Sequence, residues 1–206
     1  MTAPIRPSYA PPLANRRWRV AAFVLLAATV AQLAAGALLD LDQFAGKAFG
    51  ARLLAYPAMM LALPVGWWLA TRSRPGAWAI PWDATALVMW GFFVDVTGNT
   101  LDLYDSITWW DDSNHFANWV TLSLGAGICL AHARPRPRWI LGLVTAGLGA
   151  ILAIAWELGE WYTFIRHGTE LATAYEDTLG DEVLGTLGAA VAGVLVVLVD
   201  RRRSSG

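Results

Sequence analysis

The chain has 206 residues, of which 56% are hydrophobic and only 15% charged, and its mean hydropathy is +0.45. A soluble domain carries about 25% charged residues, so this composition excludes an ordinary soluble domain and points to an all-α, polytopic membrane helix bundle. One cysteine, Cys129, excludes an intramolecular disulfide and any zinc site built on several thiolates. Residues 1–17 form a polar, Pro-rich stretch, expected to be a disordered cytoplasmic tail, ending in Arg16 and Arg17. Six apolar spans follow, set against a hydrocarbon core of roughly 30 Å; the fourth and sixth are short and fit it if their polar first turns sit at membrane depth inside the bundle. The first runs from Val20 to Leu39, and the second from Leu53 to Ala70, interrupted only by Pro57 and Pro64. The third, Ala84 to Leu103, turns polar at Asp95, Asn99 and Asp102. The fourth is His115 to Ala131, and the fifth, Trp139 to Trp161, carries Glu157 and Glu160 in its last turns. The sixth, Asp181 to Val199, leads into Asp200 and Arg201 to Arg203. Residues 18–200 thus read as one transmembrane helical domain, and 201–206 as a basic cytoplasmic tail. The first span is longer than a signal-peptide core and follows a long tail, so it is expected to stay uncleaved.

Orientation follows from the basic residues. With both termini in the cytoplasm, twelve of the fifteen fall inside: Arg6, Arg16, Arg17, Arg19, Arg72, Arg74, Arg134, Arg136, Arg138 and Arg201 to Arg203. Only Lys47, Arg52 and Arg166 fall outside. The expected location is the bacterial cytoplasmic (inner) membrane. Trp67, Trp68, Trp78, Trp82 and Trp139 suit a belt at the cytoplasmic interface, and Trp109, Trp110 and Trp161 one at the outer interface. The acids run the other way, because only Asp83 and Asp200 of the sixteen lie on the cytoplasmic side. The orientation rule does not require that asymmetry, since Asp and Glu contribute little to it.

Four helix ends bring these acids to one depth. Asp95, Asn99 and Asp102 are spaced i, i+4, i+7 and are expected to share a face. Asp111 and His115 are i, i+4; Glu157 and Glu160 are i, i+3; Asp177 and Asp181 are i, i+4. Ionisable groups at membrane depth are costly unless paired, hydrated or protonated. Carboxylates with one imidazole suit Mg, Mn, Ca or Zn, and they are also what acid–base chemistry uses. Taken singly, several have plainer readings. Asp177 and Asp181 fit a helix N-terminus, and Asp111 and Asp112 fit an N-cap. Glu157 and Glu160 do not, since a helix C-terminus disfavours acids. The Gly and Ala residues of the last two spans read as helix-packing positions. No phosphate-binding Gly loop, nucleophile elbow or nucleic-acid surface is visible.

Three motifs together resemble a family of uncharacterised bacterial inner-membrane proteins typified by YjdF, and more distantly VanZ-like proteins. They are Asp111 before His115-Phe116, Glu157-x-x-Glu160-Trp161, and Asp177-x-x-x-Asp181 running into Gly185-x-x-Gly188-Ala189. The stretch with Gly98, Asn99 and Tyr104 is similar too, with Asp95 standing where the pattern has a His. The resemblance covers roughly residues 85 to 195 and implies a fold and a location rather than an activity; the VanZ likeness hints at the cell envelope.

Three functions are open to such a chain. In the first, a divalent metal is held by His115, Glu157, Glu160 and Asp177 or Asp181. Asp111 orients His115, and the site acts on a lipid headgroup or envelope precursor as catalyst or binder. In the second, Asp95 and Glu157 serve a proton- or ion-coupled transporter. In the third, the acids form a hydrogen-bonded cluster in a structural or partner-binding membrane protein.

Overall fold

The computed structural model describes residues 12–39, 41–73, 79–133, 135–163, 165–167 and 174–205. Residues 1–11 of the expected tail, together with Arg74, Trp78 and Arg134, lie outside the described residues. Among the described residues every regular element is helical: α1 (Pro12–Leu38), α2 (Phe49–Thr71), α3 (Trp82–Thr100), the single turn α4 (Leu103–Ser106), α5 (Trp110–Ala131), α6 (Trp139–Thr163) and α7 (Ala174–Ser205). Short 3-10 turns occupy Asp42–Phe44 and Ile165–His167. Long uninterrupted helices are what apolar runs form where no water can satisfy the backbone. By length and composition four of them can cross a membrane: Asn15–Leu38, Phe49–Thr71, Trp139–Thr163 and Ala174–Arg203. Pro57 and Pro64 sit inside α2 without ending it.

The boundaries differ from the sequence expectation mainly where the chain is polar. Helix α1 starts at Pro12, inside the stretch read as a tail, and α7 continues through the basic segment to Ser205. The fourth and sixth spans begin earlier than expected, at Trp110 and Ala174, so their acidic first turns are helical. Helix α3 ends sooner. At Asp102 the backbone turns left-handed, with φ of 58°, and reverses the chain into α4. Asp102 is thereby taken off the face it was expected to share with Asp95 and Asn99.

Helices α1, α2 and α3 pack on one another, as do α5, α6 and α7, and α3 against α5 joins the two halves. In the first half Leu33, Tyr56 and Val96 form one apolar cluster, with Trp156 of α6 packed against it. In the second half small residues set the spacing. A Cβ on Gly193 would stand 2.6 Å from the Gly142 carbonyl oxygen, and one on Gly188 would stand 2.5 Å from that of Phe116. Glycine at these positions lets α7 lie directly on α6 and α5. Large apolar side chains such as Leu54, Leu143, Ile151 and Val194 point outward, each more than 60% exposed. A bundle with apolar residues on both its inner and outer faces is built for lipid.

The two ends of the bundle differ. At the end where α1 begins and α7 finishes, Arg203 pairs with Asp83, and Arg138 Nε donates to Asp200 at 3.0 Å. Both acids expected on the arginine-rich side are therefore neutralised there. At the opposite end, Lys47 reaches Asp102 and Asp105, each at 2.6 Å. That latch ties the α1–α2 connection to the α3–α4 turn. Partial burial pulls the Lys47 pKa down, but Asp102 and Asp105 outweigh it and hold the ammonium above its ordinary value. The hydrogen bond from Lys47 holds Asp102 below the usual carboxylate range.

Candidate functional site

The acid-bearing end contains two adjoining polar clusters. The first lies between α2, α3, α4 and α5. Arg52, in the opening turns of α2, approaches Asp95 at 3.4 Å, and both side chains are largely buried. The Tyr104 hydroxyl donates to Asp95 Oδ1 at 2.7 Å, and Asn114 Nδ2 donates to that hydroxyl. Asn99 Nδ2 donates to the Asp95 carbonyl at 3.1 Å, so these two residues do share a face. The guanidinium also lies 5.7 Å from the centre of the Tyr56 ring. Asp95 is thus surrounded by a cation, a phenol and an amide.

The second cluster lies between α5, α6 and α7 and is centred on His115. Its Nε2 faces Asp111 Oδ1 at 3.4 Å, one turn back on α5. Its Nδ1 faces Glu157 Oε1 at 3.7 Å and Asp181 Oδ1 at 3.6 Å. The early start of α5 is what puts Asp111 and His115 on a common face. Glu157 and Asp181 are buried, at 4% and 5% exposure. The contacts to Nδ1 are too long for hydrogen bonds, and His115 Nδ1 and Glu157 Oε1 are buried without a hydrogen-bond partner among the described residues. Buried polar atoms normally find partners, and this pair faces each other across a gap.

Two trios of ligand-type atoms share the imidazole: Asp111, His115 and Asp181, and His115, Glu157 and Glu160. Within each trio the atoms lie within 4.8 Å of one another. Around a tetrahedral ion with bonds of about 2.0–2.2 Å, neighbouring ligand atoms stand about 3.3–3.6 Å apart. The separations of 3.6 and 3.7 Å from Nδ1 are close to that edge. The donor set, one imidazole with carboxylates, fits the same ions. Glu160 links the clusters, because it sits near His115 and within electrostatic reach of Arg52.

The expected site residues are thus divided. His115, Glu157, Glu160, Asp181 and Asp111 come together. Asp95 and Asn99 belong to the neighbouring network, and Asp102 belongs to the latch with Lys47. Asp177 is exposed, one turn before Asp181 on α7, and is in neither trio. Sequence reasoning missed the roles of Arg52 and Asn114. Their signal was present: an arginine at the head of an apolar span, and an amide beside His115, in a chain with an acid inside another span.

A family model described as a predicted membrane protein, DUF2238, matches residues 18–202. The chain belongs to that family. No curated protein and no solved structure matches it. The DUF2238 match spans both polar clusters and both halves of the bundle, so the site lies within the family's common region.

Proposed function

We propose that this DUF2238 protein crosses the bacterial inner membrane six times with both termini in the cytoplasm. Its outward-facing His115 cluster holds a divalent metal and acts on a lipid headgroup or envelope precursor. Besides the four apolar helices, α3 and α5 have 19 and 22 residues, about 30 Å at the α-helical rise. The basic residues at the end holding the termini favour that end as cytoplasmic. On the same reading its nearer kin are YjdF-like proteins, with VanZ-like proteins further off, a kinship resting on the three sequence motifs.

The observation that carries the metal is the pair of buried atoms without hydrogen-bond partners, His115 Nδ1 and Glu157 Oε1, facing each other at 3.7 Å. His115, Glu157 and Glu160 would be its ligands, with Asp181 on the flank of Nδ1. Asp111 at Nε2 would orient the ring, as carboxylates do behind metal-bound histidines. Once bound, the metal would supply Lewis acidity toward a substrate oxygen or water. Glu160, beside His115 and within electrostatic reach of Arg52, and Glu157 are the carboxylates that would exchange a proton with the substrate. Exposed Trp109, Trp161 and Tyr162 at this end suit a headgroup-level substrate.

The test is complementation of a deletion strain with alanine variants at His115, Glu157 and Asp181. All three are expected to fail while still accumulating in the membrane; wild-type behaviour in all three would overturn the reading. Reporter fusions after Lys47, Asp105 and Arg166 should read outside, and after Arg72 and Arg136 inside. One observation favours transport instead. Ser123 and Thr145 bury hydroxyls without hydrogen-bond partners among the described residues, on the inward side of the cluster. A pH-dependent flux in proteoliposomes, lost in Asp95→Asn, would establish that alternative.

A further inference from the structure

At the end holding the termini, α1, α2 and α3 leave a groove that the metal reading does not use. Ala22, Phe23 and Leu26 form one wall, Pro64, Val65 and Trp68 the second, and Trp82 and Met89 close it, enclosing about 210 Å³. Phe23 and Trp82 meet at the rim with ring centres 5.6 Å apart. Among the described residues no lining residue is charged. Phe23, Val65 and Trp68 remain 56%, 47% and 51% exposed, so the groove opens sideways to the surroundings of the bundle.

Its mouth is basic. Arg72 lies one turn beyond Trp68, with its guanidinium 5.1 Å from that ring's centre. Arg19 lies one turn before Phe23 on the same face of α1 and is exposed. The two helices run in opposite directions here, so both arginines stand on the side of the groove nearest the chain termini. Asp83, the residue after Trp82, does not cancel them, because Arg203 pairs with it. An apolar slot, two tryptophans at its rim and two arginines above them match one amphiphile: hydrocarbon below and an anion at headgroup level.

We propose that this groove binds an anionic diacyl phospholipid from the leaflet on the side of the termini. One acyl chain lies between α1 and α2, and the phosphate is held by Arg19 and Arg72. The volume accommodates part of one chain, so the headgroup supplies the selectivity. The site lies at the opposite end from the His115 cluster, and its occupancy does not depend on any metal there.

The probe is nanodiscs of phosphatidylglycerol and phosphatidylcholine in equal amounts, from which the full chain is released and weighed with its retained lipid by native mass spectrometry. Wild type is expected to retain one phosphatidylglycerol in preference to phosphatidylcholine. One basic group at a membrane surface is worth roughly fivefold, so Arg19→Gln/Arg72→Gln together should weaken that preference roughly 25-fold. Val65→Trp, which fills the slot from an exposed position and keeps both charges, should reduce total retained lipid. Arg201→Gln/Arg202→Gln, on the same side but in the last turns of α7 rather than on a groove helix, should change neither. Equal loss from that control pair, or retention unaffected by both groove variants, would overturn the proposal.

Discussion

The two polar clusters at the acid-bearing end sit side by side and solve the problem of buried charge differently. Around Asp95 the protein supplies partners for the carboxylate itself: Arg52 at 3.4 Å, the Tyr104 hydroxyl at 2.7 Å, and an Asn114 amide behind the phenol, whose own Oδ1 is buried without a hydrogen-bond partner among the described residues. Around His115 four carboxylates meet one imidazole, and two buried atoms, His115 Nδ1 and Glu157 Oε1, face each other without a hydrogen bond among the described residues. In the first arrangement the central carboxylate has a partner for each of its oxygens, which gives it a structural character. The second is incomplete, and incompleteness at a buried site points to something the chain does not itself provide. That difference is the reason for placing the function at His115 rather than at Asp95, and it agrees with the sequence, where Glu157 and Glu160 were the acids that fitted plainer readings least.

The contrast can be broken by mutation. Arg52→Ala should have the largest effect, leaving Asp95 charged and buried at a cost of about 3–5 kcal/mol. Urea or thermal unfolding in detergent would record it, and an unchanged midpoint would mean the pair is solvated. Glu157→Gln, in metal-free protein, should have the opposite sign, leaving stability unchanged or raised because Glu157 Oε1 makes no hydrogen bond that the amide would lose. Gly188→Ala should destabilise by about 1–3 kcal/mol, because the new methyl would meet the Phe116 carbonyl at 2.5 Å. Tyr104→Phe should cost a similar about 1–3 kcal/mol through the hydrogen bonds withdrawn from Asp95 and Asn114, with metal content retained if the two clusters are separable. The smallest effect belongs to the exposed latch. Asp102 is held below its ordinary pKa, so the latch contributes above the unfolded value of about 3.9 and is lost as pH falls through the lower folded value. Lys47→Met should abolish that acid-side change and leave behaviour near neutral pH almost untouched.

Much of this was legible from composition and spacing. Apolar runs located the helices to within a turn at most ends, and the i, i+4 and i, i+3 pairs named five residues that meet. The misreadings have one cause. Helix ends were placed where hydropathy ended, but Trp110 to Asn114 and Ala174 to Gly180 stay helical although polar. The left-handed turn at Asp102 leaves no periodic trace, so its departure from the Asp95 face was not visible. Arg52 was read as a loop cation because a single arginine beside an apolar run carries no information about its partner. Rotation of each helix about its axis, which decides that Asp181 faces His115 while Asp177 does not, emerges only from packing against α5 and α6.

Metal content of the detergent-purified protein by elemental mass spectrometry, alongside a Glu157→Ala/Glu160→Ala double variant, tests the central claim most directly. The account predicts near-stoichiometric divalent metal in the wild type, lost in the double variant while Arg52 and Asp95 keep the bundle folded. Wild-type protein that is folded, prepared without chelator and free of bound metal even after incubation with Zn, Mn, Mg or Ca would contradict it.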